Sequence, residues 1–556
     1  MPSANLSAEC LNKHFTMVAE KTITTDRTNQ NDLQILKDYC RSKEIRNPLQ
    51  FNFTSVIAIY KDLSSLKSSK SRGSDDLDSK IIKISAPFIS ESLTYIYNLC
   101  IDKCYYPQAF KDAKVLPLLK SGDPRDPSNY RPISILSILS KPLEKHLRQN
   151  LQSHFTRYSL FHPNQSGFMK NHSCQTALTN LIEQWHANIN NNILSGAVFA
   201  DFTKAFDVIN HTLLLRKLNL YGLSPEAIKL LLSFLFNRRQ VVLQGSETSS
   251  LMLLKHGVPQ GSVLGPILFS IYINDLPLYI SSPVELFADD TTIHNQGKTL
   301  HALSSHLQQD IDKLTLWADL NHMSLHAQKS KSMLVTTRQK RQNLNKSLTL
   351  KVGDRFLEEV TSHKLLGIIL DNNLSWAHHV SGLCKKISKK VFQLNRIKHF
   401  LDKHTRKLFF HAYIQPDIDF ASTCWDGASS ACLKPLESLF RRSIKIINNK
   451  SSPLLVSDYK DLKILPFRLR CLFNKAVFMY KIMKQIAPSY LTKRFKVIRG
   501  RHKDIIFIPR PRIDLFMSSL AFSGAKLWNT APKLIKNSNT LSSFKMAYIK
   551  HLSKQL

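Results

Sequence analysis

Two adjacent carboxylates close a short apolar strand in the segment VELFADD, residues 284–290, and this feature constrains the fold of the 556-residue chain most tightly. Neighbouring residues of a strand face opposite sides of a sheet, so Asp289 and Asp290 cannot both enter one apolar layer without a counter-charge or a tight turn. Asp-Asp is also ordinary turn chemistry, and by itself FADD reads better as a turn than as a site. Asp201 shifts that balance. It too ends an apolar strand, in GAVFADF, 88 positions before Asp289. Two strands ending side by side with these acids would offer hard oxygen ligands to Mg²⁺, which keeps several waters and readily takes phosphate oxygens. Two such ions, roughly 3.5 to 4 Å apart, clamp the attacking and leaving oxygens of an in-line phosphoryl displacement. One would activate a primer 3′-hydroxyl and the other would hold a triphosphate. The competing reading of Asp201 is a salt-bridged structural acid, which the repetition of strand-then-aspartate disfavours.

Around these acids, short apolar strands alternate with helical patterns between Ser195 and Leu370. HTLLLRKLNL and PEAIKLLLSFLF read as helices, and the class is α+β. Upstream, AKVLPLLK is extended, and the connector SGDPRDPSNYRP contains too many prolines for a continuous helix. The run SSLKSSKSRGSDD, Ser64 to Asp76, reads as an exposed loop that separates a leader from the folded body. Beyond about residue 376 the pattern is helical and basic, with apolar residues recurring at three and four.

Lys and Arg outnumber Asp and Glu by 77 to 41, a formal charge of +36 that self-repels unless a polyanion neutralises it. Nucleic acid is the first candidate partner and an anionic membrane surface the weaker one. The longest nearly apolar stretch, Val263 to Ile273, is well short of the roughly 20 residues that span a bilayer. The first residues, MPSANLSAECLNKHF, lack the basic then apolar pattern of a secretory signal. Nine cysteines, an odd count with no Cys-x-x-Cys pair, argue against a disulfide framework or zinc ribbon and for a reducing, intracellular setting. Cys100 and Cys104, four apart, read as small buried residues rather than ligands.

Between the two acidic sites lies GVPQGSVLGPILFSIYIND, residues 257–275. Gly257, Gly261 and Gly265 fall four apart, so that in a helix or its lead-in they would share one face open to another backbone or a base pair. Gln260 beside them could hydrogen-bond a nucleotide or template. Helix packing through small residues is the competing explanation.

The order of these segments is more specific than any one of them. DFTKAFD, GVPQGSVLGPILFSIYIND and FADD resemble motifs A, B and C of reverse transcriptases, in the form typical of non-LTR retrotransposons (LINEs) of the jockey and chicken-repeat-like groups. KDAKVLPLLKSGDPRDPSNYRPISIL and HPNQSGF look like the family's fingers motifs. LWADLNHMSLHAQKSK and HKLLGIILDNNLSW look like motifs D and E, and AKLWNTAPKLIK looks like its C-terminal segment. The resemblance runs from about residue 81 to the end.

It implies a right-hand polymerase with a mostly helical C-terminal extension. The expected division is an N-terminal leader and linker over 1–80, fingers over 81–190, palm over 191–375, a helical thumb over 376–470 and a basic extension over 471–556. It further implies an RNA-directed DNA polymerase that binds an RNA template, a DNA primer or target and dNTPs, using two Mg²⁺ ions with Mn²⁺ able to substitute. Asp201 and Asp289 would bind the metals, with Asp290 in support. Phe206 falls where a steric gate excludes a 2′-hydroxyl, though plain core packing also suits it. Lys120 and Arg131 fall where the fingers contact the triphosphate. Gln260 and Gly261 match the nucleotide and template pocket, with Gly257 beside the template and primer. Lys329 matches the motif D lysine, a candidate general acid for pyrophosphate, with an exposed surface lysine as the alternative. Met169 stands where Arg is usual and His326 where Asn is usual. The endonuclease domain that usually precedes this polymerase is not expected within the first 60 to 80 residues. The nick for target-primed copying would then come from an endonuclease in trans. No Cys/His zinc-knuckle pattern is read in the tail. The expected setting is a cytoplasmic ribonucleoprotein or the nucleus, without a membrane span. A catalytically inactive, retrotransposon-derived RNA-binding remnant is the alternative, and a metal-dependent nuclease a third reading for which the glycine segment and fingers motifs have no evident use.

Overall fold

The computed structural model describes residues 6–22, 33–68, 71–120, 122–344, 346–498 and 505–555. Ser69 and Lys70, in the run expected as an exposed loop, lie outside the described residues. The chain divides into two compact units, both assembled from separated stretches. One comprises Met1–Phe168, Asp201–Ser281 and Asp310–His326, and the other Met169–Ala200, Ser282–Gln309 and Ala327–Leu556. The α+β class and the helical C-terminal region are as expected from the sequence.

In the first unit a sheet is built on β1 (Ala113–Leu119), β2 (Tyr130–Ile135), β4 (Arg238–Gln244), β5 (Glu247–Thr248) and β6 (Met252–Leu254). The connector before β2 holds the single helical turn Pro127–Asn129, capped by the Asp126 side chain. β1 then pairs antiparallel with β2 and parallel with β4. A correction concerns the expected leader. The helix Ala8–Thr22 packs Leu11 and Phe15 against Val115, Tyr130 and Val242 of this sheet. Buried Asn12 donates from Nδ2 to Ser249 Oγ at 2.8 Å and accepts from Gln240 Nε2 at 2.9 Å. A fully buried amide with its donors and acceptors matched fixes the helix in one place. Residues 8–22 are thus part of the folded body. The helices His211–Leu220 and Pro225–Leu235 form where the periodicity puts them, each started by a capping side chain, Asn210 and Ser224.

In the second unit the sheet order is β12-β9-β3-β8-β7, from β3 (Leu194–Ala200), β7 (Val284–Phe287), β8 (Asp290–Gly297), β9 (Lys331–Val335) and β12 (Glu358–Glu359), with a small hairpin β10–β11 (Lys351–Val352, Arg355–Phe356) inserted. Every residue of β3 is buried, the mark of a central strand covered on both faces. The helix Cys174–Asn190, opened by a Ser173–Thr176 capping box, lays Leu178, Trp185 and Ile189 against Ala197, Phe199, Met333 and Val335. The same core continues through the hairpin β13–β14 (Ser362–Leu365, Ile368–Asp371) into the helices Ala377–Ile397 and Ser430–Asn448. At the exit of β14 the Asp371 carboxylate accepts the N–H groups of Asn373, Ser375 and Trp376 at 3.2, 2.8 and 2.7 Å, setting the entry into the long helix.

A second core gathers Phe473, Met479, Trp528, Phe544 and Tyr548 from the helix Phe467–Met483 and the last helices. It is tied to the helix Cys174–Asn190 by the buried Glu183 and the half-buried Arg494. Glu183 accepts the N–H groups of Leu520 and Ala521 at 2.6 and 2.8 Å, and Arg494 donates to the Asn180 carbonyl and Oδ1 at 3.0 and 2.8 Å. Glu183→Ala leaves two N–H groups without their acceptor, at a cost of about 1 to 3 kcal/mol. Limited proteolysis should then cut residues 505–530 of the variant well before the wild type. Equal cleavage rates would count against this anchor. No helix among the described residues is long and apolar enough to cross a membrane.

Candidate active site

The hairpin β7–β8 carries two of the three aspartates. Phe287 pairs with Asp290, leaving Ala288 and Asp289 as a two-residue turn, with Ala288 at φ +57°. Such tight hairpin turns require positive φ and suit the right-handed strand twist. Asp289 is half-buried at the tip and Asp290 is the exposed first residue of β8. β3 pairs antiparallel with β8 so that its last residue, Ala200, lies opposite Thr291, one step from Asp290. The chain leaves the sheet at that edge, and the next residue is Asp201. Asp201 is exposed, and its carbonyl accepts the His326 N–H at 2.8 Å. Phe202 bridges to Leu325, and the Thr203 N–H donates to Ser324 at 2.9 Å. His326, read from the sequence as standing where Asn is usual, makes this contact through its backbone N–H. Among the described residues no three His, Cys, Asp or Glu side chains gather into a metal-holding group.

The first unit joins the segment 203–209 to the segment 257–265. The Val258 N–H donates to the Phe206 carbonyl and the Gly257 N–H to the Ile209 carbonyl, both at 2.9 Å. His211 Nε2 sits 2.7 Å from the Gly257 carbonyl. Gln260 donates from Nε2 to Asp207 Oδ1 at 2.8 Å, and its carbonyl accepts the Ser134 N–H of β2 at 2.8 Å. Phe206 is half-buried, stacked on Phe269 with ring centres 4.2 Å apart, and it meets the edge of Phe168 at 6.4 Å. Arg131 is exposed on β2, and its charge acts on Asp207.

The helical-face expectation for the three glycines is corrected here. Gly257 at φ +79° and Gly261 at φ +138° lie in the left-handed region, and the helix begins only with Gly265–Tyr272. What approaches them is this chain's own backbone. A Cβ at Gly257 would lie 2.7 Å from the Asp207 carbonyl oxygen, and one at Gly261 would collide with that of Ser134. Lys120 is exposed at the end of β1, where its N–H donates to the Asn129 carbonyl at 2.9 Å, and its side chain is not part of this network. Lys329 is exposed in the turn before β9, in the other unit.

Three residues of the network carried no assignment from sequence. Lys204, at φ +48°, donates from Nζ to the Ser128 and Tyr130 carbonyls at 3.0 and 3.1 Å, tying the segment after Asp201 to β2. Asp207 follows the expected gate directly, and DFTKAFD displays it without revealing its partner. Glu144, fully buried on the helix Ser140–Arg157, accepts the Val263 and Leu264 N–H groups at 2.7 and 3.1 Å and the Ser140 hydroxyl at 2.9 Å. A carboxylate at the start of the helix Gly265–Tyr272 faces the positive end of its dipole. Burial raises the Glu144 carboxyl above the usual range, and the Leu264 N–H and the Arg238 charge oppose that shift. Nothing local in SKPLEKHL marks this role.

Residues 118–370 match the family model described as reverse transcriptase (RNA-dependent DNA polymerase). The chain carries a reverse-transcriptase domain. Each candidate residue named above, from Lys120 to Lys329, falls inside the reverse-transcriptase domain, whereas the helix Ala8–Thr22 and the second core lie outside the matched stretch. The chain is 24% identical over 444 residues to the RNA-directed DNA polymerase from mobile element jockey of Drosophila melanogaster, which covers 76% of this chain and 48% of that protein. It is 26% identical over 417 residues to the jockey polymerase of Drosophila funebris, with 72% and 45% covered. It is also 26% identical over 423 residues to the probable RNA-directed DNA polymerase from transposon BS of Drosophila melanogaster, with 73% and 46% covered. The resemblance read from the motifs is borne out, and the chain spans about half the length of these curated relatives.

Proposed function

We propose that this chain is an RNA-directed DNA polymerase, retrotransposon-derived, that extends a primer 3′-hydroxyl on an RNA template. The observation that carries the reading is the β3–β8–β7 register, in which a strand leading into Asp201 runs beside the hairpin bearing Asp289 and Asp290. The donor set fits Mg²⁺, an ion usually held by one or two carboxylates and completed by water and phosphate. Asp201 and Asp289, with Asp290 in support, would hold two Mg²⁺ ions, or Mn²⁺ in their place, which when bound activate the hydroxyl and neutralise the triphosphate.

The chain's own side chains do the rest by positioning. Lys120 and Arg131 hold the triphosphate, Gln260 and Gly261 line the nucleotide pocket, and Gly257 lies beside the template and primer. Lys329 supplies a proton to the leaving pyrophosphate. RNA, DNA and dNTPs are its ligands, an endonuclease in trans supplies the nick, and the reading carries with it an intracellular ribonucleoprotein or nuclear setting. Phe206 closes the sugar site, backed by Phe269. Phe206→Val opens space there and should raise ribonucleotide incorporation relative to dNTPs at least about tenfold. Competing rNTP and dNTP extension measures it, and an unchanged ratio would assign Phe206 to packing alone.

The test of the function itself is primer extension by the purified chain on an RNA template with Mg²⁺. Incorporation of dNTPs supports the polymerase. Salt-sensitive RNA binding without incorporation would instead favour the inactive RNA-binding remnant.

A further inference from the structure

We propose that Asp207 is a positioning residue that locks the side-chain amide of Gln260 in one orientation and thereby governs how tightly the incoming nucleotide is held. The proposal rests on the polymerase reading and goes beyond it, because it assigns a task to an acid distinct from the three metal candidates.

An amide side chain can present either its oxygen or its nitrogen to a ligand, and turning it over exchanges the two. At Gln260 that freedom is removed. Nε2 donates to Asp207 Oδ1 at 2.8 Å, and an ionised carboxylate only accepts, so the flipped amide would set oxygen against oxygen. With Nε2 committed to Asp207, Gln260 offers its Oε1 as an acceptor for the N–H or O–H donors of a bound nucleotide.

The two residues cannot drift apart. The Gln260 carbonyl is held by the Ser134 N–H, and the Asp207 N–H donates to the Lys204 carbonyl at 2.8 Å. On either side of them the Val258 and Gly257 N–H groups pair with the Phe206 and Ile209 carbonyls. Gly257, in the left-handed region, allows the Asp207 backbone to approach closer than any side chain would permit. Phe206, the sugar gate of the polymerase reading, is the residue before Asp207, so gate and amide are set by one short segment. Burial raises the Asp207 pKa above the usual carboxylate range, and the Gln260 hydrogen bond and then the Lys204 and Arg131 charges oppose that shift.

The test is steady-state primer extension with Asp207→Ala, Asp207→Asn, Gln260→Ala and the double variant Asp207→Ala/Gln260→Ala, with thermal melting run on each. In Asp207→Ala the amide turns freely, so the KM for dNTP should rise about tenfold while kcat changes by less than about threefold. Asp207→Asn keeps an acceptor oxygen for Nε2 but can itself turn over, and should recover part of the loss. The double variant should be no worse than Gln260→Ala, since Asp207 acts through that residue. A loss confined to kcat, no rescue by asparagine, or additive losses in the double variant would overturn the proposal while an active wild type upheld the polymerase reading. A wild-type chain that incorporates no dNTP overturns that reading and this proposal together.

Discussion

Asp289→Ala should reduce dNTP incorporation by at least about a thousandfold, the loss expected when several kcal/mol of metal-borne charge stabilisation is removed from the transition state. Asp289 sits half-buried at the tip of a two-residue turn, where truncating the side chain leaves the Phe287–Asp290 pairing in place. The hairpin should therefore survive and the defect should be chemical. RNA affinity should stay within about twofold, because phosphate contacts come from the cationic surface of a +36 chain and one fewer acid cannot weaken them. Primer extension measures the first quantity and fluorescence anisotropy with labelled RNA the second. Synthesis at the wild-type rate would sink the metal assignment of Asp289. A parallel collapse of RNA binding would point instead to a folding defect.

The largest expected effect on stability lies away from the chemistry. Lys217 and Asp275 form an ion pair at 2.7 Å with both side chains fully buried. Lys217 also donates to the Tyr272 carbonyl at 2.7 Å, and the Trp317 Nε1–H donates to Asp275 at 3.1 Å. The ammonium lies over the Tyr272 and Trp317 rings at 4.8 and 5.4 Å from their centres. Burial pulls the Lys217 pKa down and Asp275 pulls it back up. Asp275→Ala strands the ammonium without a counter-charge and should cost about 3 to 5 kcal/mol in urea denaturation. The paired replacement Lys217→Met with Asp275→Leu removes both charges and should regain most of that loss. A single variant as stable as the wild type would show that solvent reaches the lysine.

Local pattern made the strands and helices around the site readable. GAVFADF read as a strand, and β3 ends within it at Ala200; HTLLLRKLNL read as a helix, which forms over the same residues; FADD, read as a turn, is the tip of a hairpin. These depend on near neighbours, whose periodicity and turn chemistry the chain displays directly. The glycine segment misled because a spacing of four is shared by a helical face and by a loop needing positive φ at two positions, and only the partners Asp207 and Ser134 separate the two. Leu11 and Phe15 read as part of a leader because the strand they cover, with Val242, lies some 230 residues on. Glu144 gave no signal since it binds two N–H groups 119 and 120 residues away. Asn180 and Arg494, 314 residues apart, are hidden for the same reason. Motif order made the family legible, whereas the residues that hold those motifs in register belong to contacts that sequence proximity does not record.

The interleaving of the two compact units bears on how the chain is made. The first unit takes its last stretch from Asp310–His326, and the second starts at Met169 and draws on residues through Leu556. During synthesis from the N-terminus, the sheet that receives the helix Ala8–Thr22 must wait for its strand at residues 238–244, and β3 must wait for β8, nearly a hundred residues later. Long-range pairing of this kind forms slowly and leaves strand edges open meanwhile. The nascent protein should therefore depend on chaperones until the C-terminal helices of the second unit have emerged, and a stop codon placed between residues 200 and 290 should release an aggregating fragment rather than a smaller folded protein.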